Sequence, residues 1–237
     1  MSDGNLALEQ FLAVIKGVCQ KTGHPMPPHL APLAEGHAIP EPPPLEEALE
    51  TAGLALDDAQ SACLFANIVN LTIADGRVRD RSLVELAAET LRLDRESARD
   101  VQESLEARSQ VNAFRDDDEW ALFCAVLIAM AGADGEVAKS ETAYLQRFVP
   151  SLKHIEAGNR LLAEKANTLD EQIARLSTRQ KRCLTAHAIG MMLIDGEYKG
   201  TEAELLEALA SQMSLAQYDQ DRLLKGLYAL YNVSVLV

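Results

Sequence analysis

The chain has 237 residues, 48% of them apolar, with 22 Lys and Arg against 36 Asp and Glu for a formal charge of -14. That length suits one large domain or two small ones. The acidity argues against a nucleic-acid-binding protein, which needs a basic footprint, and against adsorption to an anionic membrane. Ala and Leu number 35 each, whereas Ile and Val together number 22 and aromatics 11. This balance favours helix over sheet, so the expected fold class is all-α.

Residues 5–21 predict an amphipathic helix, with Leu8, Phe11, Leu12, Ile15 and Val18 at helical spacing. Residues 22–44 hold eight of the nine prolines together with His24, His29 and His37. They predict an extended tether or strap. The start of the chain lacks the basic n-region of a secretory signal. The longest apolar run, Ala121 to Ala133, is 13 residues, short of the roughly 20 a bilayer span needs. Cys19, Cys63, Cys124 and Cys183 show no metal or redox spacing. They read as buried free thiols in a reducing cytoplasm.

From Leu45 onward the sequence repeats. LFANIVNLTIADGRV, FCAVLIAMAGADGEV and LTAHAIGMMLIDGEY each join an apolar run to an Asp-Gly pair. The aspartates are Asp75, Asp134 and Asp195, at intervals of 59 and 61 residues. Each repeat predicts three helices: about 57–74, 80–92 and 95–111, then 117–133, 139–149 and 152–166, then 178–195, 200–212 and 215–233. Residues 167–176 predict an extra short helix. Asp57, Asp94, Ser140, Ser151, Thr178 and Ser214 are the expected helix caps. The expected organisation is a leader at 1–44, a first repeat at 45–115, a second at 116–176 and a third at 177–237, the repeats packed into one helical body. The first helices of repeats two and three are apolar on nearly every face, which predicts central burial. Asn67 and Asn70 interrupt the matching helix of repeat one. That helix is expected to be more peripheral, or to meet a partner along its polar stripe.

The Asp-Gly corner reads first as a helix–turn–helix connection, with Gly left-handed after the helix and Val78, Val137 and Tyr198 plugging the core. Asp at a helix C-terminus opposes the dipole, so its recurrence asks for a partner. A divalent metal (Ca, Mg, Mn or Zn) is the sharper reading. Its ligands would be Asp134, Glu136 and Glu141 in repeat two and Asp195, Glu197 and Glu202 in repeat three, with Glu204 nearby. An ordinary EF-hand fails, because its first ligand positions fall on Met130 and Gly132, or on Met191 and Leu193. In repeat one Ser82 replaces the Glu, and Arg77, Arg79 and Arg81 crowd the corner.

An apolar helix ending in Ala-Asp-Gly, an apolar residue two positions on and a Glu seven after the Asp resembles the TerB-like family of small helical domains. Repeat two carries this as Ala133, Asp134, Gly135, Val137 and Glu141. Repeat three has Ile194 for the Ala, and repeat one lacks the Glu. The resemblance covers roughly residues 57–233 as three tandem copies. It implies an all-helical, acidic, non-catalytic protein linked to stress responses of the tellurite-resistance type, to complexes near the inner membrane and to metal ions.

No phosphate-binding loop, dinucleotide fingerprint, serine elbow or zinc-protease motif is present in the sequence. His187 reads as a satisfied core or interface histidine, with a His–carboxylate pair toward Asp195 as the weaker alternative. His154 offers nothing specific, and no catalytic residue is expected. The leading expectation is a non-catalytic cytoplasmic module for protein partners, with no membrane span and with peripheral inner-membrane association left open. The rivals are metal-dependent binding or sensing and a homo-oligomer joined through the Asn67 face. The leader helix docks in cis or in trans.

Overall fold

The computed structural model describes residues 3–35, 37, 41–133, 137–194 and 200–236; for 3–5, 165–168, 201 and 202 it describes the backbone alone. Among these residues the chain is all-helical apart from one short hairpin. It divides into two compact bodies, Met1–Glu106 with Lys225–Val237, and Ala107–Leu224. The repeats are units of sequence and the bodies are units of packing, so the division falls elsewhere than at 44, 115 and 176.

The first body opens with α1 (Asp3–Thr22). Its apolar stripe, including Phe11, Leu12, Val14, Ile15 and Val18, is completely buried. The stripe packs on α3 (Leu45–Ala55) and α4 (Asp58–Thr72), so the leader helix docks in cis. The stretch 22–44 is less extended than expected. It contains α2 (Ala31–Glu35), preceded by a turn in which the Leu30 amide donates to the Pro27 carbonyl at 2.9 Å. Pro32 is tolerated there because a first-turn residue needs no amide donor. Helix α3 was not anticipated; it buries Ala48, Leu49 and Ala52.

Helix α4 is not peripheral. Every residue from Cys63 to Val69 is buried, and Asn67 is 0% exposed. The Asn67 stripe meets its partners within the same chain. Its Oδ1 lies 2.8 Å from His29 Nε2, and its Nδ2 donates to the Cys63 carbonyl at 3.0 Å and to the Leu230 carbonyl at 3.4 Å. The proline-rich leader and the C-terminal segment thus satisfy a polar group that would otherwise be costly in a core. This removes the Asn67 face as an oligomer interface.

After the hairpin β1 (Ile73–Ala74) and β2 (Arg77–Val78), α5 (Arg81–Thr90) and α6 (Arg95–Arg108) follow. Helix α5 closes with Arg92 left-handed at φ 56°, and the Leu93 amide donates to the Ala88 carbonyl at 3.0 Å. This is a Schellman ending built without glycine.

In the second body, α7 (Asp117–Ala131) is buried continuously from Trp120 to Leu127. Helix α10 (Thr178–Leu193) is buried continuously from Cys183 to Leu193. The two pack on each other, as their all-round apolarity required. Helix α8 (Lys139–Phe148) and α9 (Leu152–Arg175) lie between them in sequence. Helix α9 is one helix where two were expected; residues 161–176 contain no Gly or Pro to break it. It approaches α7 closely at Gly158, where a Cβ would stand 2.7 Å from Cys124 Cβ and 2.8 Å from the Ala125 nitrogen. Helices α11 (Gly200–Gln212) and α12 (Gln217–Tyr231) complete the order.

Asp57, Asp94 and Ser151 cap helices as expected, accepting from the amides of Gln60, Ser97 and Lys153. Three expected caps are corrected. Ala138 and Ser177 replace Ser140 and Thr178 as N-caps. Ser214, at φ 52°, ends α11 instead of starting α12; the Leu215 amide reaches back to the Ala210 carbonyl at 3.2 Å.

Candidate functional site

The corner of repeat one is a β-hairpin and not a helix C-cap. Helix α4 ends at Thr72, Ile73 pairs with Val78, and Ala74 pairs with Arg77. Asp75 and Gly76 form the two-residue turn, both with positive φ, at 52° and 76°. This is the Asp-Gly pattern of a type I′ turn, whose twist matches the flanking strands. Asp75 therefore stands beyond the helix end, and its partner is Arg79 at 2.8 Å on the exposed surface. Val78 is buried as expected.

Repeat one also shows what replaced the missing Glu. Asp80 caps α5, accepting from the Leu83 amide at 3.0 Å and from Ser82 Oγ at 2.8 Å. Lys21 lies 2.8 Å from the same carboxylate. Lys21 first, then the Leu83 amide and Ser82, hold the Asp80 pKa down at about 2.

In repeat two, Glu141 is the third residue of α8 and is 4% exposed. Its Oε2 accepts from the Ala138 amide at 2.6 Å. This is the glutamate half of a capping box, with no hydroxyl at Ala138 to complete the other half. Glu202 is the third residue of α11, the same helical position. A Glu seven residues after the corner Asp is thus a Glu at the third position of the following helix, where it can reach back to an orphan amide. Asp134, Glu136, Asp195, Glu197 and Tyr198 lie outside the described residues, as does the Glu202 side chain. Glu141 is the one expected metal ligand whose surroundings are described. Among the described residues no three His, Cys, Asp or Glu side chains converge in metal-binding geometry.

Val137 does not plug the core; it is 57% exposed. It stands beside an apolar cavity of about 330 Å³ between α8 and α9, floored by Ile128 and Ala131 of α7 and Met191 of α10. Leu145 and Ile155 line its walls, and Leu152, 62% exposed, lies at its mouth. Glu141 and Glu156 are its lining charges.

His187 is completely buried in a ring of aromatics, with Phe148 at 4.6 Å and Phe123 at 5.2 Å between centroids. Its Nε2 lies 2.8 Å from the Arg108 carbonyl, and its Nδ1 lies 3.0 Å from the Tyr144 hydroxyl. A carbonyl only accepts, so Nε2 carries the proton and Nδ1 accepts from Tyr144. Burial, then the nearby Arg108 charge, push the His187 pKa down to about 3. This is a satisfied core histidine. Gly190 makes room for the Tyr144 hydroxyl, into which a Cβ at that position would collide.

His154 is better placed than its sequence context suggested. It is 6% exposed, stacks on Trp120 at 5.9 Å, and its Nε2 lies 2.9 Å from Asp117 Oδ1. Lys153 Nζ lies 3.0 Å from both oxygens of Asp117. His154 first, then Lys153, hold the Asp117 pKa below the ordinary carboxylate value. This cluster fastens the start of α9 to the start of α7.

Cys63, Cys124 and Cys183 are buried, and burial pushes each thiol up to about 12. Cys19 is half-buried and also raised by burial. A thiol held protonated is a poor nucleophile and a poor metal ligand. No helix of the described residues is long and apolar enough to cross a membrane.

The apolar cavity was not foreseen from sequence. Its signal lies in the pattern of α9, where Leu152, Ile155, Glu156 and Asn159 share one face. Scans against protein-family models, curated proteins and solved structures each return no match for the chain.

Proposed function

We propose that the chain is a non-catalytic, acidic, all-helical protein-interaction module, related to the TerB-like stress-response proteins through three tandem three-helix repeats and working in the cytoplasm. The observation that carries this reading is the apolar cavity of repeat two, with Val137 and Leu152 exposed at its mouth. Large aliphatic side chains held in water beside an apolar cavity favour a partner that covers both. The buried polar groups support the same reading. Asn67 and His187 are engaged in hydrogen bonds that tie helices together. The test is photo-crosslinking in the cell from benzoylphenylalanine at position 137. A discrete protein adduct there, absent when the same group replaces exposed Glu171, is the expected result; no adduct from 137 counts against the reading.

A second reading, a divalent ion at the corners of repeats two and three, rests on Glu141, a buried carboxylate close in sequence to Asp134 and Glu136. Calorimetric titration of the metal-free protein with calcium, magnesium, manganese and zinc tests it. Heat that disappears in the Asp134→Asn, Asp195→Asn variant supports the ion; no heat from any of the four excludes it.

A further inference from the structure

The cavity of repeat two has a counterpart in repeat one. A groove of about 670 Å³ runs between α5 and α6, with Phe65 of α4 in its lining. Its α5 wall is Val84, Glu85, Ala88 and Glu89; each position recurs 57 residues later, from Val84 to Glu141, in the α8 wall of Glu141, Thr142, Leu145 and Gln146. At the same interval Arg95, Ala98, Arg99 and Gln102 of α6 become Leu152, Ile155, Glu156 and Asn159 of α9. Eight lining positions on two helices thus keep one spacing. The same concave place, between the second and third helices of a repeat, is built twice with different chemistry.

The differences are directional. Where repeat one has Arg95, Ala98 and Ala88, repeat two has Leu152, Ile155 and Leu145. Where repeat one has Arg99, repeat two has Glu156. On its α5 and α6 walls repeat one therefore sets Val84, Ala88 and Ala98 among charges of both signs, with Phe65 and Leu93 completing the lining. Repeat two lines its groove with aliphatics, two carboxylates and no base. Glu141 is engaged by the Ala138 amide, whereas Glu156 is exposed at the edge.

We infer that the repeat-two groove binds the apolar face of a cationic amphipathic helix from a partner protein. This rests on the interaction-module reading and deepens it. Two helical walls over an apolar floor leave the place of one more helix, whose i, i+3, i+4 and i+7 side chains would enter as anchors. A Lys or Arg beside those anchors meets Glu156, and the acidity of the whole chain draws such a helix in. Repeat one carries the same excess of two carboxylates, with Glu85, Glu89, Glu103 and Glu106 against Arg95 and Arg99, and Arg99 is paired with Glu103 at 2.6 Å. What it lacks is the aliphatic seat for the anchors, since Ala88, Arg95 and Ala98 stand where repeat two has Leu145, Leu152 and Ile155.

The test uses the full chain and synthetic helices of about 18 residues, five turns. One is a Leu/Lys amphipathic peptide, one its Leu/Glu counterpart, and one a Leu/Lys scramble without an apolar face. Titration calorimetry is expected to give one equivalent of the amphipathic Leu/Lys peptide, with the other two weaker by about ten-fold or more. The variant Leu152→Arg, Ile155→Ala, Glu156→Arg gives repeat two the side chains of repeat one and is expected to lose about ten-fold or more in affinity. Its helicity, read by circular dichroism, is expected to stay unchanged because the replaced positions are exposed or half-buried. The reverse exchange, Arg95→Leu, Ala98→Ile, Arg99→Glu, is expected to raise the stoichiometry from one to two. Equal binding of the scramble, or an unchanged affinity in the first exchange variant, overturns the inference. Failure of the peptide to bind while a cellular adduct forms at position 137 overturns the cationic helix alone; failure of both overturns the interaction module as well.

Discussion

The Ala138 amide donates to Glu141 Oε2 across 2.6 Å, and this bond recasts the repeated corner. The acidic residue that follows the Asp-Gly pair starts a helix. A capping contact is worth about 0.5–2 kcal/mol. Glu141→Ala is expected to destabilise the chain by about 1 kcal/mol, and Glu141→Gln by less, since the amide oxygen still accepts. Urea unfolding of the two variants checks this. Equal losses in both would show that the charge, and not the cap, is what matters at 141.

The contact of Tyr144 with His187 and Gly190 makes a coupled prediction. Tyr144→Phe leaves His187 Nδ1 buried without its donor, at a cost of about 1–3 kcal/mol. Gly190→Ala drives a methyl into the Tyr144 hydroxyl, also about 1–3 kcal/mol. Because the phenylalanine removes the colliding oxygen, the double variant is expected to lose less than the two singles together. A double-mutant cycle by chemical denaturation reads the coupling; strict additivity would contradict the geometry.

His187 also sets a pH dependence. Its ordinary value is 6.5 and burial lowers it to about 3 in the folded chain. The unfolded state therefore binds the proton first, and stability is complete above pH 6.5 and lost progressively as pH falls toward 3. Asp80, lowered from 3.8 to about 2, adds its own loss only below pH 4. Between pH 6.5 and 4.5 the slope is expected to flatten by up to about 1.4 kcal/mol per pH unit in His187→Gln relative to wild type. An unchanged slope would mean that His187 titrates normally in the folded state.

Much of the architecture was legible. The helical spacing of Phe11, Leu12, Ile15 and Val18 marked α1, and the unbroken apolar run 121–133 and the nearly all-round apolarity of 178–195 marked the two central helices of the second body. The fate of Asn67 was not legible. Its partners, His29 and the Leu230 carbonyl, are 38 and 163 residues away, and no local pattern encodes such a pairing. The helix α3 was hidden behind Pro44, which sits at its N-cap position. The hairpin at Asp75 is not legible locally, because an Asp-Gly pair serves a helix ending and a hairpin turn alike, and only the strand pairing of Ile73 with Val78 separates them. The grooves are hidden in the sequence because the corners align at an interval of 59 while the eight matching groove positions align at 57.

The buried stripe of α1 makes the leader part of the first body's core. Phe11 is 0% exposed, and Phe11→Ala is expected to cost about 3–5 kcal/mol. Deleting 1–44 is expected to abolish the cooperative unfolding of that body, followed by calorimetry. An unchanged melting profile would mean that α1 docks elsewhere in solution.

The proposed partner surface belongs to repeat two and not to repeat one. Asn159 and Gln102 occupy matching positions in the two grooves. The most direct measurement places a photo-crosslinking side chain at one or the other in the living cell and compares adduct yield. A discrete protein adduct is expected from 159 and none from 102; equal adducts from both, or an adduct from 102 alone, would overturn that placement.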